Sequence, residues 1–330
     1  MRQIDSKEAR ALWIVEAGRA EFRQEVAPAP GPGEVRVRAL VGAISRGTES
    51  LVFHGRVPES ERRRMRCPFQ AGEFPFPVKY GYSTVGVVEA GPPERIGERV
   101  FALHPHQTRF TVPVEGVSPV PADIPCERAA LAPQMETALN ATWDAKPRIG
   151  DRIAVVGAGV IGILTAYLCA RVPGASVTLI DRDAGRRAIA ASLGIGFAAA
   201  GEHMTEACDL VFHASGDPSG LDLALSLCGF EAVVIELSWY GDRPVPVALG
   251  RAFHSQRLTI RASQVGSVAP SRRARWTHRQ RLAKALSLCA DPRLDALVRE
   301  EMPFDALPNR LPDILGQPGA LCHLIRYLEE

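Results

Sequence analysis

Two domains of unlike make-up, together forming an α/β chain, are expected from three features of the sequence. Residues 9–120 run as short apolar or alternating segments broken by Pro and Gly, the pattern of a compact β-barrel. From residue 123 onward strands alternate with helices, which means βαβ units and a doubly wound parallel sheet. The third feature is a glycine-rich turn, Gly157-Ala158-Gly159-Val160-Ile161-Gly162, set between the first strand and first helix of that second region. A length of 330 residues fits about two domains.

In the first region the expected strands are residues 11–15, 34–43, 83–89, 99–102 and 109–112, and Pro30-Gly31-Pro32-Gly33 marks a turn between the first two. Helical spacing with few breakers predicts one helix over 126–145. Strands at 152–156, 176–180, 210–213 and 232–237 then alternate with helices at 159–171, 184–193 and 220–228. A further strand is expected at 258–263, a helix at 279–289 and a last strand at 320–328. The arginine-dense stretches 62–66 and 272–281 are expected on solvated surface.

Composition excludes several classes of function. Thirty-nine Lys and Arg against 37 Asp and Glu leave a net charge of +2, too small to argue for a nucleic-acid or membrane-surface partner. Seven scattered cysteines with no C-x-x-C spacing write neither a zinc ribbon nor a disulfide framework, so free thiols are expected. The first ten residues carry five charges and lack the apolar core of a secretory signal, so a cytoplasmic location is expected. Residues 153–170 are uncharged over a length that would span a bilayer, yet their glycines break them into strand, turn and buried helix.

The glycine turn carries the sharpest chemical signal. It follows the apolar run ending in Val155-Val156, opens a helix, and is followed by a second strand ending at Asp181. That is the context of a dinucleotide-binding fingerprint. Gly157 permits the tight turn, Gly159 lets a pyrophosphate approach the backbone, and Gly162 allows helix and strand to pack closely. Val160 and Ile161 open the helix, whose N-terminus offers unpaired N–H groups and a positive dipole end to phosphates. Asp181 suits the two hydroxyls of an adenosine ribose and repels a 2′-phosphate, so NAD is expected over NADP; Arg182, next in the chain, keeps NADP open. Ser215, Gly216 and Ser238 follow later strands and are candidates to line the ribose and nicotinamide, because ligands of open parallel sheets lie beyond the carboxyl ends of the strands.

A β-rich N-terminal region, this glycine-turn domain and a short tail returning to the first region resemble the medium-chain dehydrogenase/reductase superfamily over essentially the whole chain. Residues 28–43 are similar to that family's early proline-then-glycine turn and strand. Residues 79–91 with 96–101 are similar to its central catalytic stretch, and 258–267 to its sixth Rossmann strand and the loop nearing the nicotinamide. The resemblance implies a GroES-like β-barrel catalytic domain, residues 1–125 and 268–330, and a Rossmann dinucleotide-binding domain, residues 126–267. Where zinc-dependent members carry Gly-His-Glu, this chain has Gly81-Tyr82-Ser83. Where they carry an early-loop cysteine it has Ile44-Ser45-Arg46-Gly47-Thr48-Glu49, and their third ligand falls near Pro133-Gln134. The four-cysteine structural lobe is missing as well. Tyrosine and serine are poor zinc ligands, so no zinc is expected; a rearranged site drawn from Glu49, His54, Cys67 and His106 is the alternative. Ser-Arg-Gly-Thr-Glu and Gly-Tyr-Ser resemble a zinc-free branch, and Gly-Thr-Glu is similar to an element of the bacteriochlorophyllide dehydrogenase group.

The resemblance implies an NAD(P)-dependent oxidoreductase acting on an alcohol/carbonyl pair of a small molecule. Without a Lewis acid, a positioned proton donor must serve the carbonyl oxygen. The resemblance puts Tyr82 in that role, with Ser45, Thr48 and Glu49 to relay or orient, and His106 and His54 as alternative acids. Thr137 resembles a threonine that the family places against the nicotinamide. The basic run Arg62-Arg63-Arg64-Met65-Arg66 falls where relatives shape their substrate pocket, which suits a carboxylate or phosphate on the substrate. Reduction of an enone or quinone, and a non-catalytic dinucleotide sensor, are the competing readings. A homodimer joined along 258–263 is expected from the relatives.

Overall fold

A computed structural model describes residues 7–199, 201–202, 207–316 and 321–327. They divide into two compact units, Met1–Pro133 with Leu286–Glu330, and Gln134–Ala285.

The first unit begins with β1 (Lys7–Glu16), β2 (Arg19–Ala27), β3 (Glu34–Ile44) and α1 (Arg46–Phe53). The short strands β4 (Ala71–Gly72) and β5 (Val78–Lys79) follow, then β6 (Thr84–Ala90), β7 (Arg99–Ala102), β8 (Arg109–Pro113), β9 (Val117–Pro119) and α2 (Cys126–Ala129). β1 and β2 form an antiparallel ribbon in a sheet of order β2-β1-β5-β4. β2 escapes sequence reading because one face, Arg19, Glu21, Arg23 and Glu25, is charged, and the other, Ala20, Phe22, Gln24 and Val26, is only partly apolar and only partly buried. β3 is central to the second sheet, where Val35 and Val37 are fully buried with Val88, Val100, Phe110 and Val112. Backbone hydrogen bonds from Leu12 N to His106 O (2.9 Å) and from Thr108 N to Arg10 O (3.0 Å) stitch β1 to the segment before β8 and so join the two sheets.

The polypeptide passes into the second unit along α3 (Ala132–Ala145). The single helix expected over 126–145 is thus two helices. Pro133 lies in the first turn of α3; in a helix interior it would remove an N–H and clash with the preceding turn. β10 (Arg152–Val156), α4 (Val160–Cys169), β11 (Ser176–Asp181), α5 (Arg186–Ser192) and β12 (Gly196–Ala199) come next. They are followed by β13 (Cys208–His213), α6 (Pro218–Ser226), β14 (Cys228–Glu236), β15 (Thr259–Ala262) and α7 (His278–Leu288). All six strands are parallel, in the order β12-β11-β10-β13-β14-β15. This is the doubly wound order, with β10 and β13 flanking the point where the winding reverses. β10 is central, and Ile153, Ala154, Val155 and Val156 are all buried, as a strand covered on both faces requires. The first unit closes with β16 (Glu300–Pro303), α8 (Leu307–Gly316) and β17 (His323–Arg326). β17 pairs with β3; residues 320 and 328 of the expected final strand lie outside the described residues.

One surface expectation fails. Arg281, at the end of an arginine-dense stretch, is 1% exposed. Its Nε donates to Glu136 Oε1 (2.9 Å), and Nη1 donates to Asn140 Oδ1 (2.6 Å) and Ser267 O (3.1 Å). A buried guanidinium is tolerated because its donors meet this full set of acceptors. All seven cysteines are free thiols. Among the described residues no helix is long and apolar enough to cross a membrane.

Candidate functional site

The chemistry-bearing residues form two clusters, one in each unit. In the second unit the chain leaves β10 through Gly157, whose φ of +108° suits glycine. A Cβ at Gly157 would lie 2.6 Å from Ser215 N, and one at Gly162 only 1.8 Å from Gly157 O. A Cβ at Gly159, by contrast, would meet nothing within 4 Å. Two glycines therefore serve packing, while the third leaves open space at the start of α4. Gly159 is the N-cap of α4 and no side chain caps that end, so the first-turn N–H groups of Val160, Ile161 and Gly162 keep no side-chain acceptor there. Such an end suits an anion.

Asp181 ends β11 and takes part in holding this turn. Its Oδ2 accepts from Ala158 N (2.6 Å) and its Oδ1 from Asp183 N (2.9 Å). Arg182 is mostly exposed and lies 3.6 Å from Asp217 Oδ2, whereas Arg186 and Arg187 pair with Asp183 and Glu202. Thr137 is partly buried on α3, in a face otherwise closed to solvent.

Beyond β13 and β14 lies a hydrogen-bonded hub that sequence reasoning found only in part. His213 and Glu236 are register partners on adjacent parallel strands, so their side chains emerge side by side. His213 Nδ1 lies 2.8 Å from Glu236 Oε2, and its Nε2 lies 2.6 Å from Ser215 Oγ. Glu236 also accepts from Ser238 N (2.7 Å) and from the Tyr240 hydroxyl (3.3 Å). Gly216 N donates to Ser238 Oγ (3.0 Å), which ties the two loops together. Burial, and after it the Glu236 charge, holds the Tyr240 phenol well above its ordinary range. Ser215, Gly216 and Ser238 were legible as strand-end residues; His213, Glu236 and Tyr240 were not. The one local signal was a histidine two residues before Ser215 at the end of an apolar strand.

In the first unit Ser45 precedes α1, and its backbone N donates to Glu49 Oε1 (2.7 Å). The Ser45 hydroxyl does not cap the helix; together with Thr48 it is hydrogen-bonded to the Tyr82 phenol. Burial raises the Tyr82 phenol far above its ordinary value, the Glu49 charge adds to this, and the Ser45 and Thr48 bonds oppose it. The other oxygen of Glu49 meets His106 Nε2 at 3.0 Å, and both side chains are almost fully buried. His106 Nδ1 is a buried nitrogen with no partner among the described residues. A Cβ at Gly81 would sit 2.8 Å from His106 Nε2, so the imidazole occupies space that only glycine leaves free. Cys67, near Glu49, has its thiol pushed up to about 12, chiefly by burial. Ser45, Thr48, Glu49, Tyr82 and His106 thus form one cluster. His54 stands apart: it is exposed at the end of α1, with Nδ1 2.8 Å from Ser50 O. Arg64 and Arg66 are already paired, with Glu61 (3.0 Å) and Glu73 (2.6 Å).

Among the described residues no group of three His, Cys, Asp or Glu is placed to hold a metal ion. The hydroxyls of Ser45 and Tyr82 are bonded to each other, and neutral hydroxyls are poor zinc ligands.

Comparison with known proteins places the fold. No family model matches the chain. An L-threonine 3-dehydrogenase of Rhizobium rhizogenes is 31% identical over 122 residues, a stretch covering 36% of this chain and 33% of that protein. The match therefore spans about a third of that relative's length. An alcohol dehydrogenase from E. coli CFT073, solved with NADH, superposes with a TM-score of 0.75 at 18% identity over 97% of this chain and 99% of that one. L-idonate 5-dehydrogenase from E. coli K-12 gives 0.77 at 14% identity over 97% and 99%. An alcohol dehydrogenase zinc-binding domain protein from Burkholderia ambifaria gives 0.72 at 17% identity over 98% and 100%. The chain has the fold of these dehydrogenases: a β-rich unit and a Rossmann parallel-sheet unit.

Proposed function

We propose that this protein is an NAD(P)-dependent oxidoreductase that moves a hydride between nicotinamide and an alcohol/carbonyl pair, without zinc. The observation that carries the reading is the open, uncapped start of α4 at Gly159, in a sheet of doubly wound order. A bound nicotinamide coenzyme would supply or accept the hydride. Its diphosphate would be held by the N–H groups of Val160, Ile161 and Gly162. Asp181 would receive the adenosine ribose hydroxyls and disfavour a 2′-phosphate, so the coenzyme is NAD rather than NADP. Thr137, Ser215, Gly216 and Ser238 would serve the nicotinamide end.

The chain's own proton chemistry falls to the hydroxyl cluster. Its raised pKa keeps the Tyr82 phenol protonated at neutral pH, and a protonated phenol is a hydrogen-bond donor to a carbonyl oxygen. Ser45 and Thr48 hold that phenol in place and pass its proton on, while the buried Glu49–His106 pair orients the loop that carries them. This hydroxyl set also supports the likeness to the zinc-free branch and to bacteriochlorophyllide dehydrogenase. An anionic group on the substrate would compete with Glu61 and Glu73 for Arg64 and Arg66. Two copies joining along β15, the edge of the parallel sheet, would make a homodimer.

Fluorescence titration with NADH and NADPH, metal analysis of purified protein, and a carbonyl and enone panel test this reading together. Saturable NADH binding, less than 0.1 zinc per chain and carbonyl turnover lost by about 10²–10⁴-fold in Tyr82→Phe are expected. Binding of neither nucleotide would overturn it. Stoichiometric zinc would overturn the metal-free step, and turnover confined to enones would reassign the reaction.

A further inference from the structure

The hub beyond β13 and β14 contains a hydrogen-bonded histidine–carboxylate pair that the reaction itself does not use. We propose that His213 and Glu236 are positioning residues that fix the hydrogen-bond polarity of Ser215. They make its outward face an acceptor and so select a ribose hydroxyl at that point, not a phosphate or carboxylate. This deepens the coenzyme reading and rests on it.

The argument is an inventory of donors and acceptors. An ionised carboxylate only accepts, so Glu236 requires the proton of His213 to sit on Nδ1, 2.8 Å away. A neutral imidazole carrying its proton there leaves a lone pair on Nε2, which faces Ser215 Oγ at 2.6 Å. The serine gives its single hydrogen inward to Nε2 at 2.6 Å, because its other acceptor, Asp217 O, lies 3.4 Å away, beyond a good hydrogen bond. One of its lone pairs receives Asp217 N at 3.2 Å, which leaves the other for a ligand. Ser215 is exposed while His213 is fully buried, so the line runs from a solvent-facing hydroxyl into the sheet. The hub is also closely packed: a Cβ on Gly220 of α6 would lie 2.3 Å from Ser215 Oγ and 2.7 Å from His213 Nε2. A ligand hydroxyl satisfies an acceptor of this kind, whereas an anionic oxygen would find no hydrogen there.

Glu236→Gln is the decisive variant. Ser238 N donates to Oε1 and fixes the amide flip, so the new NH₂ group falls on the Oε2 side, facing His213 Nδ1. Nδ1 also lies 2.9 Å from Oε1, but an NH₂ group held 2.8 Å from it favours a lone pair on Nδ1, so the imidazole is expected to carry its proton on Nε2 and the serine hydrogen to turn outward. The experiment reads the histidine ring ¹⁵N spectrum, and NADH affinity by fluorescence, for wild type, Ser215→Ala, Glu236→Gln and the double variant. The wild type should show His213 as the Nδ1–H form, and Glu236→Gln should convert it to Nε2–H. Each single variant should bind NADH about tenfold more weakly, and the double variant no more weakly than Ser215→Ala. Melting temperatures without coenzyme should stay within a few degrees of wild type. An Nε2–H ring in the wild type overturns the proposal, as does a Glu236→Gln variant that binds NADH within twofold of wild type. A wild type that binds neither NADH nor NADPH overturns the coenzyme reading and with it the ligand named here. In that case the ¹⁵N spectrum still reports on the polarity of the line by itself.

Discussion

Replacing Arg281 by methionine should unfold the second unit far more easily, and the size of the effect follows from what the guanidinium leaves behind. Arg281 is 1% exposed and gives hydrogens to Glu136, Asn140, Ser267 O and Val265 O. Methionine fills much of the same volume but donates nothing, so the Glu136 carboxylate, itself 5% exposed, loses its cation. Breaking a buried pair from one side costs about 3–5 kcal/mol. For a unit of this size each kcal/mol lowers Tm by about 2–4 °C, so a fall of roughly 6–20 °C is expected by calorimetry at pH 7.5. The pH dependence fixes the sign. Burial already holds the Glu136 carboxyl above its ordinary range against the pull of Arg281, and removing Arg281 raises it further. A group raised on folding stabilises below its unfolded pKa and loses that contribution as pH rises through the folded one. Arg281→Met should therefore recover part of its stability near pH 5 relative to pH 8, and adding Glu136→Gln should recover part of it at pH 7.5. A single variant melting within 2 °C of wild type, or a double variant no better than the single, would refute the buried-charge argument.

Three further outcomes follow from the geometry. Gly162→Ala puts a Cβ 1.8 Å from Gly157 O, so NADH affinity should fall at least about tenfold together with Tm, read by fluorescence and calorimetry. Gly81→Ala meets both a φ of +119° and His106 Nε2 at 2.8 Å; it should cost about 1–3 kcal/mol in urea unfolding. Cys67, with a thiol near 12 against an ordinary 9.0, should react with iodoacetamide at pH 8 about a thousandfold more slowly than an unperturbed thiol, and the rate should climb until about pH 12.

The glycine turn was legible from sequence because its demands are local. A positive φ at Gly157, and a helix start with no room for a Cβ at Gly162, concern residues within six positions of one another. The apolar run of β10 and the acid at the end of β11 belong to the same local grammar. Helical periodicity continues across Pro133, which makes α2 and α3 look like one helix, and β2 is obscured because its charged face and weakly apolar face do not alternate clearly without the partner strand. That partner is β1, which the β-turn geometry supplies and composition does not.

The amino-acid order thus determined by itself the two kinds of layer, the glycine turn between β10 and α4, and the hydroxyl residues Ser45, Thr48 and Tyr82. Tertiary structure alone decided which polar side chains meet. Glu49 and His106 are 57 positions apart, His213 and Glu236 are 23 apart, and Arg281 and Glu136 are 145 apart. Each pair is brought together by strand register or by helix packing. A buried ion can be kept only where the fold delivers its counter-charge, and neighbouring residues in the chain carry no record of which distant one that will be.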